Sequence, residues 1–271
     1  MEIWRYQLAA KRAPNIRTGA GDIEGALVRV DGGVGCLQAW PTLGDAPLEE
    51  QLDALSRGEP TEIGRACLRC CASDGEARRA GRSLFAGLKL PPSHALVLGG
   101  TAEEIRWAAA AGIAKIKGRA DWGFDEGIKL RIDFNASLEP DEFLRWAEAL
   151  SDAKRQQIDF VEDPTPYAPV LWERLGEETG VRFALDRGPV DAERGYAVRV
   201  WKPAIQELPP CGELFCITHN MDHEIGRRYA AYRAGIFEGE LTQCGLGEFG
   251  DLGGTGLGCD ELLDSLRWEA L

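Results

Sequence analysis

Ile113-Ala114-Lys115-Ile116-Lys117, Leu130-Arg131-Ile132-Asp133-Phe134-Asn135, Ile158-Asp159-Phe160-Val161-Glu162-Asp163-Pro164, Phe183-Ala184-Leu185-Asp186 and Val198-Arg199-Val200-Trp201-Lys202-Pro203 are five short apolar runs, each ending in charged or polar side chains. Apolar runs of this length that stop at a turn or a proline read as parallel strands buried on both faces. Their charged residues then stand where the strands end. Lys, Asp, Glu, Asp and Lys delivered in that order to one rim describe an α/β barrel with its site at the C-terminal face.

Working outward, helix patterns alternate with these strands from Ala95-Leu96-Val97-Leu98 onward: 102–111 behind a Thr101/Glu104 capping box, 139–150, and 169–179. Three connections are too short for a crossover helix, which takes a dozen or more residues. Lys117 and Lys129 are separated by 11 residues, and the stretches from Asp186 to Ala197 and from Pro203 to Glu213 are similarly tight. The spacing therefore predicts a modified TIM barrel, (β/α)7β-like, with several shortened or missing crossover helices. Something else must cover the bare strand faces; a partner copy in a homo-oligomer is one such cover.

Residues 1–90 follow another grammar. Trp4–Leu8, Ile23–Val30 and Val34–Ala39 read as antiparallel strands with a turn at Asp31-Gly32-Gly33, and helices follow over 48–56 and 62–79. This is an N-terminal α+β capping domain ahead of a catalytic barrel over 91–255, with the tail from about 256 to 271 returning to the cap.

The chain has 271 residues, 31 Lys+Arg against 44 Asp+Glu and a net charge of −13. That balance argues against nucleic acid or an anionic membrane as partner. Met1-Glu2-Ile3-Trp4-Arg5 lacks a signal-peptide core, and no apolar stretch is long enough to span a bilayer, so the expected location is cytoplasmic. The eight cysteines are then expected as thiols. Cys67 and Cys70 share a helical face with Ile63 and Ala66, which favours packing over a zinc site. The Gly-rich 251–258 segment lacks the Lys-Ser/Thr and strand–helix context of a phosphate loop and reads as a flexible return connection.

Along a strand, side chains alternate faces, so Lys115 pairs in direction with Lys117, and Arg131 with Asp133 and Asn135. Asp133, Glu162 and Asp186 suit a hard cation, Mg2+ with Mn2+ as substitute. Glu162 and Asp163 are adjacent, and alternation alone does not choose between them. Three carboxylates around a divalent ion leave one negative charge, and Lys117 with Lys202 makes the site net positive, so it can receive a carboxylate despite the acidic exterior. Such a site suits removal of the weakly acidic proton beside a carboxylate, because developing charge falls on oxygens that the cations stabilise.

The ordered set Lys115-x-Lys117, Arg131-x-Asp133-x-Asn135, Glu162-Asp163-Pro164, Asp186 and Lys202-Pro203 resembles the enolase superfamily in its muconate-lactonizing-type subgroup, and within it most closely the o-succinylbenzoate synthase family. Arg17-x-Gly19 and Pro41-Thr42-Leu43-Gly44 resemble the family's cap, and Cys244-Gly245-Leu246 its last strand. The resemblance implies Lys117 as general base and Lys202 as a cation facing the ring. It implies Asp133, Glu162 and Asp186 as Mg2+ ligands, and Lys115, Arg131, Asn135, Thr218 and His219 around a small-molecule carboxylate substrate. The implied reaction is syn loss of water from 2-succinyl-6-hydroxy-2,4-cyclohexadiene-1-carboxylate, giving 2-succinylbenzoate for menaquinone biosynthesis. Arg187 departs from the family, which commonly has Glu after the third metal ligand. Two rivals remain: an N-acylamino acid racemase or dipeptide epimerase on the same scaffold, and a non-catalytic metal- or ligand-binding barrel. Gly245-Leu246-Gly247-Glu248 lacks the Asp-x-Asp typical of the epimerases, which favours dehydration.

Overall fold

The computed structural model describes residues 1–10, 21–118, 124–125, 127–207 and 213–271. Arg17 and Gly19 lie outside the described residues. The cap begins with β1 (Glu2–Ala10), β2 (Gly21–Val30) and β3 (Gly33–Gln38), an antiparallel sheet, followed by α1 (Leu48–Ser56) and α2 (Glu62–Arg79). The barrel strands are β4 (Ala95–Val97), β5 (Ile113–Lys117), β6 (Lys129–Asp133), β7 (Ile158–Glu162), β8 (Phe183–Leu185), β9 (Val198–Trp201), β10 (Leu214–Ile217) and β11 (Glu240–Leu241). The interleaved helices are α3 (Ala102–Ala111), α4 (Pro140–Glu148), α5 (Asp152–Gln157), α6 (Pro169–Thr179) and α7 (Glu224–Gly235). After α8 (Asp260–Ser265), β12 (Glu269–Ala270) pairs antiparallel with β1, Ile3 opposite Glu269, so the tail ends on the cap sheet.

All eight barrel strands run parallel in chain order, the parallel bridge Thr218↔Gly245 extends the β10–β11 pair, and the parallel bridge Ser93↔Cys244 draws the two edges together. The interior packs on Phe160, Ala184, Val198, Val200 and Cys216, the inward layer below the rim. The capping box opens α3 as expected, Glu104 N–H donating to Thr101 Oγ1 at 3.2 Å and Thr101 N–H to Glu104 Oε2 at 2.8 Å.

The three short connections carry no helix among the described residues. Their strands are nonetheless buried within the single chain. Arg199, facing outward and 2% exposed, donates to the carbonyls of Gly188 and Pro189, so the connection after β8 lies directly on β9. Trp201 packs edge-on to Phe215 and against Phe237, and its indole N–H donates to Gln206 O at 2.8 Å. Ala114 and Ile116 sit in the outer core with Trp107, Phe134 and Trp146. The cover for which a subunit partner was one candidate is thus supplied by the chain's own loops and neighbouring helices.

Cys67, Cys70 and Cys71 are buried thiols on the α2 face toward the sheet. That contact is close because of Gly33: a Cβ there would lie 2.0 Å from Cys71 O and 2.4 Å from Gly75 N, both backbone. Gly33→Ala should therefore push α2 off β3 and destabilise by on the order of 2–3 kcal/mol, seen as a lowered urea midpoint. The Gly-rich return segment is pinned, not loose: Leu257 N–H donates to buried Asp74, and Arg228 donates to Leu257 O and Asp251 O. Among the described residues no helix is long and apolar enough to cross a membrane.

Candidate active site

The C-terminal ends of the strands open into a cavity of about 960 Å3, lined by Lys115, Lys117, Asp133, Asn135, Asp186 and Lys202 with His94, Thr218, His219 and Asp222. Trp40 and Leu43 of the cap reach the same space, Leu43 within the one-turn helix Pro41–Leu43. The cap is tied there. Trp40 Nε1 donates to Asn220 O, and Arg187 donates to Leu43 O and to Asp45 Oδ1 at 3.1 Å. Arg187, the residue that departs from the family pattern, is thus a clasp between barrel rim and cap.

Register explains the convergence. Lys117, Asp133 and Glu162 are successive partners across β5, β6 and β7, so their side chains meet at one level. Lys115 Nζ donates to Glu162 at 2.6 and 2.7 Å and lies 3.2 Å from Asp133 Oδ2. Lys117 Nζ donates to Asp133 Oδ2 at 2.5 Å, and Lys202 donates to Asp186. The structure also separates Glu162 from Asp163. Glu162 faces the lysines, while Asp163, in the left-handed region at φ 42°, turns back to accept from the N–H groups of Asp186 and Arg187. Asn135 and Ala136 are left-handed too, at φ 52° and 54°, a concentration of backbone strain at the rim.

Burial opposes every charge in this cluster, and the partners decide the outcome. Desolvation works against Lys115, but Glu162 and Asp133 hold its pKa above the usual lysine range. Burial works to raise Asp133 and Asp186, yet the adjacent ammoniums, Lys117 and Lys115 for the first and Lys202 for the second, hold both below the usual carboxylate range. Glu162 goes the other way: burial, then repulsion from Asp133, pushes it up to about 7.

As they stand, the acids are paired with lysines, and among the described residues no three His, Cys, Asp or Glu side chains gather as ligands of one ion. The donor set still fits a hard divalent cation. It offers carboxylate oxygens that repel one another, and beside them Asn135 Oδ1 is buried without a hydrogen-bond partner.

Arg131 is placed differently from Lys115 and the acids. It is fully buried one layer below Asp133, with its guanidinium over the Phe160 ring, 4.6 Å to the centroid. It donates to Asp159, Thr242 Oγ1, Gln243 O and His94 Nδ1. Those partners engage all three of its nitrogens, and Arg131 is not among the residues lining the cavity, so it closes the barrel floor. Thr218 and His219 do line it; Thr218 Oγ1 is buried without a partner, and burial lowers His219 to about 3. His223 is taken up structurally: its Nδ1 accepts from Ile225 N–H as the N-cap of α7, and its ring packs on Tyr6 with centroids 5.0 Å apart. His94 and Asp222 are two cavity residues that the motifs missed. Neither belongs to a charged strand end, the only signal the sequence offered.

Asp222 is 4% exposed, its Oδ2 has no partner, and burial pushes its pKa up to about 7. An unfolded aspartate titrates near ~3.9. Between those values the folded chain keeps a proton that the unfolded chain has released, so stability falls as pH rises from about 4 to about 7. Asp222→Asn should flatten that fall and raise neutral-pH stability by on the order of 1–3 kcal/mol, measured as unfolding midpoint against pH.

Comparison with known proteins places this geometry. Residues 1–77 match the family model described as the O-succinylbenzoate synthase N-terminal domain. The o-succinylbenzoate synthase of Bdellovibrio bacteriovorus is 26% identical over 98% of this chain and 97% of that protein. Among solved structures, the o-succinylbenzoate synthase of Thermosynechococcus elongatus BP-1, complexed with Mg in the active site, superposes with a TM-score of 0.67 at 18% identity, over 97% of this chain and 99% of that one. The muconate lactonizing enzyme of Pseudomonas fluorescens gives 0.69 at 16% identity, covering 90% and 86%. The L-Ala-D/L-Glu epimerase of Bacillus subtilis gives 0.67 at 16%, covering 89% and 88%. At these identities the structural likeness establishes the fold, a barrel with an N-terminal cap. The resemblance to o-succinylbenzoate synthases stands on the family model over residues 1–77 and on the Bdellovibrio protein.

Proposed function

We propose that this chain is a lyase of the o-succinylbenzoate synthase kind. It would eliminate water from 2-succinyl-6-hydroxy-2,4-cyclohexadiene-1-carboxylate to give 2-succinylbenzoate, a step in menaquinone biosynthesis. The observation that carries the reading is the opposed pair: Lys117 and Lys202 enter one cavity from β5 and from the end of β9, each anchored on a different carboxylate of the same cluster. The full-length relative in Bdellovibrio, named an o-succinylbenzoate synthase, supports the choice of reaction over epimerisation on the same fold.

Asp133, Glu162 and Asp186 would hold Mg2+, as the Thermosynechococcus synthase does in its active site. Bound there, the ion supplies positive charge to the substrate carboxylate as electron density moves onto its oxygens. Lys115, held charged, adds a second cation at the same place. Lys117 would take the proton from the ring carbon bearing the carboxylate. The electron pair of that C–H bond moves into the carboxylate. It then returns to form the new ring double bond as the C–O bond to the hydroxyl breaks. Lys117 hands its proton to the departing hydroxide, so water leaves from the face on which the proton was taken and the ring becomes aromatic. Lys202, on the other side, keeps an ammonium toward the electron-rich ring, a contact worth about 0.5–2 kcal/mol or more when desolvated.

The test is turnover of the cyclohexadiene carboxylate, followed as 2-succinylbenzoate formation. Activity should vanish with a chelator and return with added Mg2+. Proton exchange on N-succinyl amino acids without any dehydration of the diene would replace this reading with the racemase.

A further inference from the structure

We propose that His94 is a substrate-binding residue, a neutral imidazole whose Nε2–H donates to the ketone oxygen of the succinyl side chain, with Arg131 as the positioning residue that sets its tautomer. The inference rests on the reaction proposed above and extends it from the reacting ring to the side chain.

The chemistry of one contact fixes the proton. Arg131 Nη1 stands 2.8 Å from His94 Nδ1. A guanidinium has no acceptor, so Nδ1 must offer its lone pair and the ring proton must be on Nε2. Arg131 is itself immobilised by Asp159, Thr242 and Gln243, so this is a built arrangement and not a rotamer of convenience. A second proton on His94 would face that cation directly; burial, then Arg131 and Lys115, drives the imidazole well below its usual pKa. The same cation polarises the ring and makes Nε2–H a stronger donor than an ordinary imidazole.

Gly245 lies against the His94 ring at the cavity wall, and only the absence of a Cβ there leaves Nε2 room. His94 is 4% exposed and lines the cavity, and a Cβ on Gly245 would sit 3.0 Å from Nε2 and 2.7 Å from Thr218 Cγ2. His94, Thr218 and Gly245 therefore converge on one small volume, where Thr218 Oγ1 is buried without a partner. These donors are neutral, whereas the lysines of the cavity, Lys115, Lys117 and Lys202, gather on the acids, and two of its arginines, Arg187 and Arg227, are held on Asp45 and Glu224. A carboxylate is drawn to the cations. A ketone oxygen needs one or two hydrogen bonds and no counter-charge, and it fits the neutral corner.

Long-range 15N–1H NMR of the free protein around neutral pH should show His94 protonated at Nε2 alone; protonation at Nδ1, or an imidazolium, would overturn the assignment. Binding to the Mg2+-loaded protein is then compared for 2-succinylbenzoate and for 4-(2-carboxyphenyl)butanoate, in which the ketone is a methylene. The wild type should prefer the ketone by about tenfold, the worth of one polarised hydrogen bond. His94→Phe should lose that preference while keeping its affinity for the methylene analogue, and His94→Gln, which keeps a donor, should recover part of it. Loss of affinity for both ligands equally in both variants would mark His94 as structural. Preference for the ketone undiminished in His94→Phe would also sink the proposal. If the wild type binds neither compound, the reaction assignment fails together with the ketone; if it binds both alike, this inference alone fails.

Discussion

Lys117→Ala should reduce kcat for dehydration by roughly 10²–10⁴-fold, the usual contribution of a positioned acid–base group, while the protein stays folded and still binds Mg2+. The fold is expected to survive because Lys117 is at the rim, where its side chain is 23% exposed, and Asp133 keeps a second ammonium, Lys115, at 3.2 Å. The KM should change far less than kcat, since the lysine acts on the carbon–hydrogen bond and the substrate carboxylate is held by other groups. Rapid-quench turnover with calorimetric Mg2+ titration of the same sample separates the two effects. Turnover that persists undiminished would take the role of base away from Lys117, whereas no turnover in the wild type would return the chain to the non-catalytic barrel reading.

Glu162→Gln should weaken Mg2+ binding at least about a hundredfold, with activity recoverable only in part at high Mg2+. The substitution keeps the shape of the side chain and removes a carboxylate that burial and repulsion from Asp133 push up to about 7. It also leaves Lys115 with a single amide acceptor where it now donates to both carboxylate oxygens. Asp133 and Asp186 still face that ammonium, so the cluster keeps a counter-charge and the barrel should fold. Asp163→Asn serves as the control. It alters the neighbouring acid, whose oxygens receive the Asp186 and Arg187 backbone N–H groups, and its effect should fall on stability before metal affinity.

Much of the fold was legible because its signals are local. Buried parallel strands need unbroken apolar runs, and those runs start at or within a residue of β5, β6, β7 and β9 and end no more than two residues past them. Helices α3 and α6 are bounded by their own capping chemistry: Thr101 with Glu104 at the start of one, and a proline at the start and Gly180 after the end of the other. The cluster of lysines and acids followed from strand alternation plus the rule that charge in a filled barrel belongs at its open end. Arg131 shows where that rule stops. It shares the inward face of β6 with Asp133, so phase puts the two together, but the floor of this barrel is polar and absorbs the guanidinium.

The sequence by itself determined the strand order, the alternation that aims Lys115, Lys117, Asp133 and Asp186 inward, and the three connections without helices, since each depends only on neighbours in the chain. Tertiary structure alone decided that Glu162 and not Asp163 faces the lysines, that loops and neighbouring helices bury the strands left bare, and that His94 meets Arg131 across the closed barrel. Those outcomes turn on which backbone donors and side chains from distant strands arrive at the same point, and closing a sheet on itself creates contacts that no sequence period encodes.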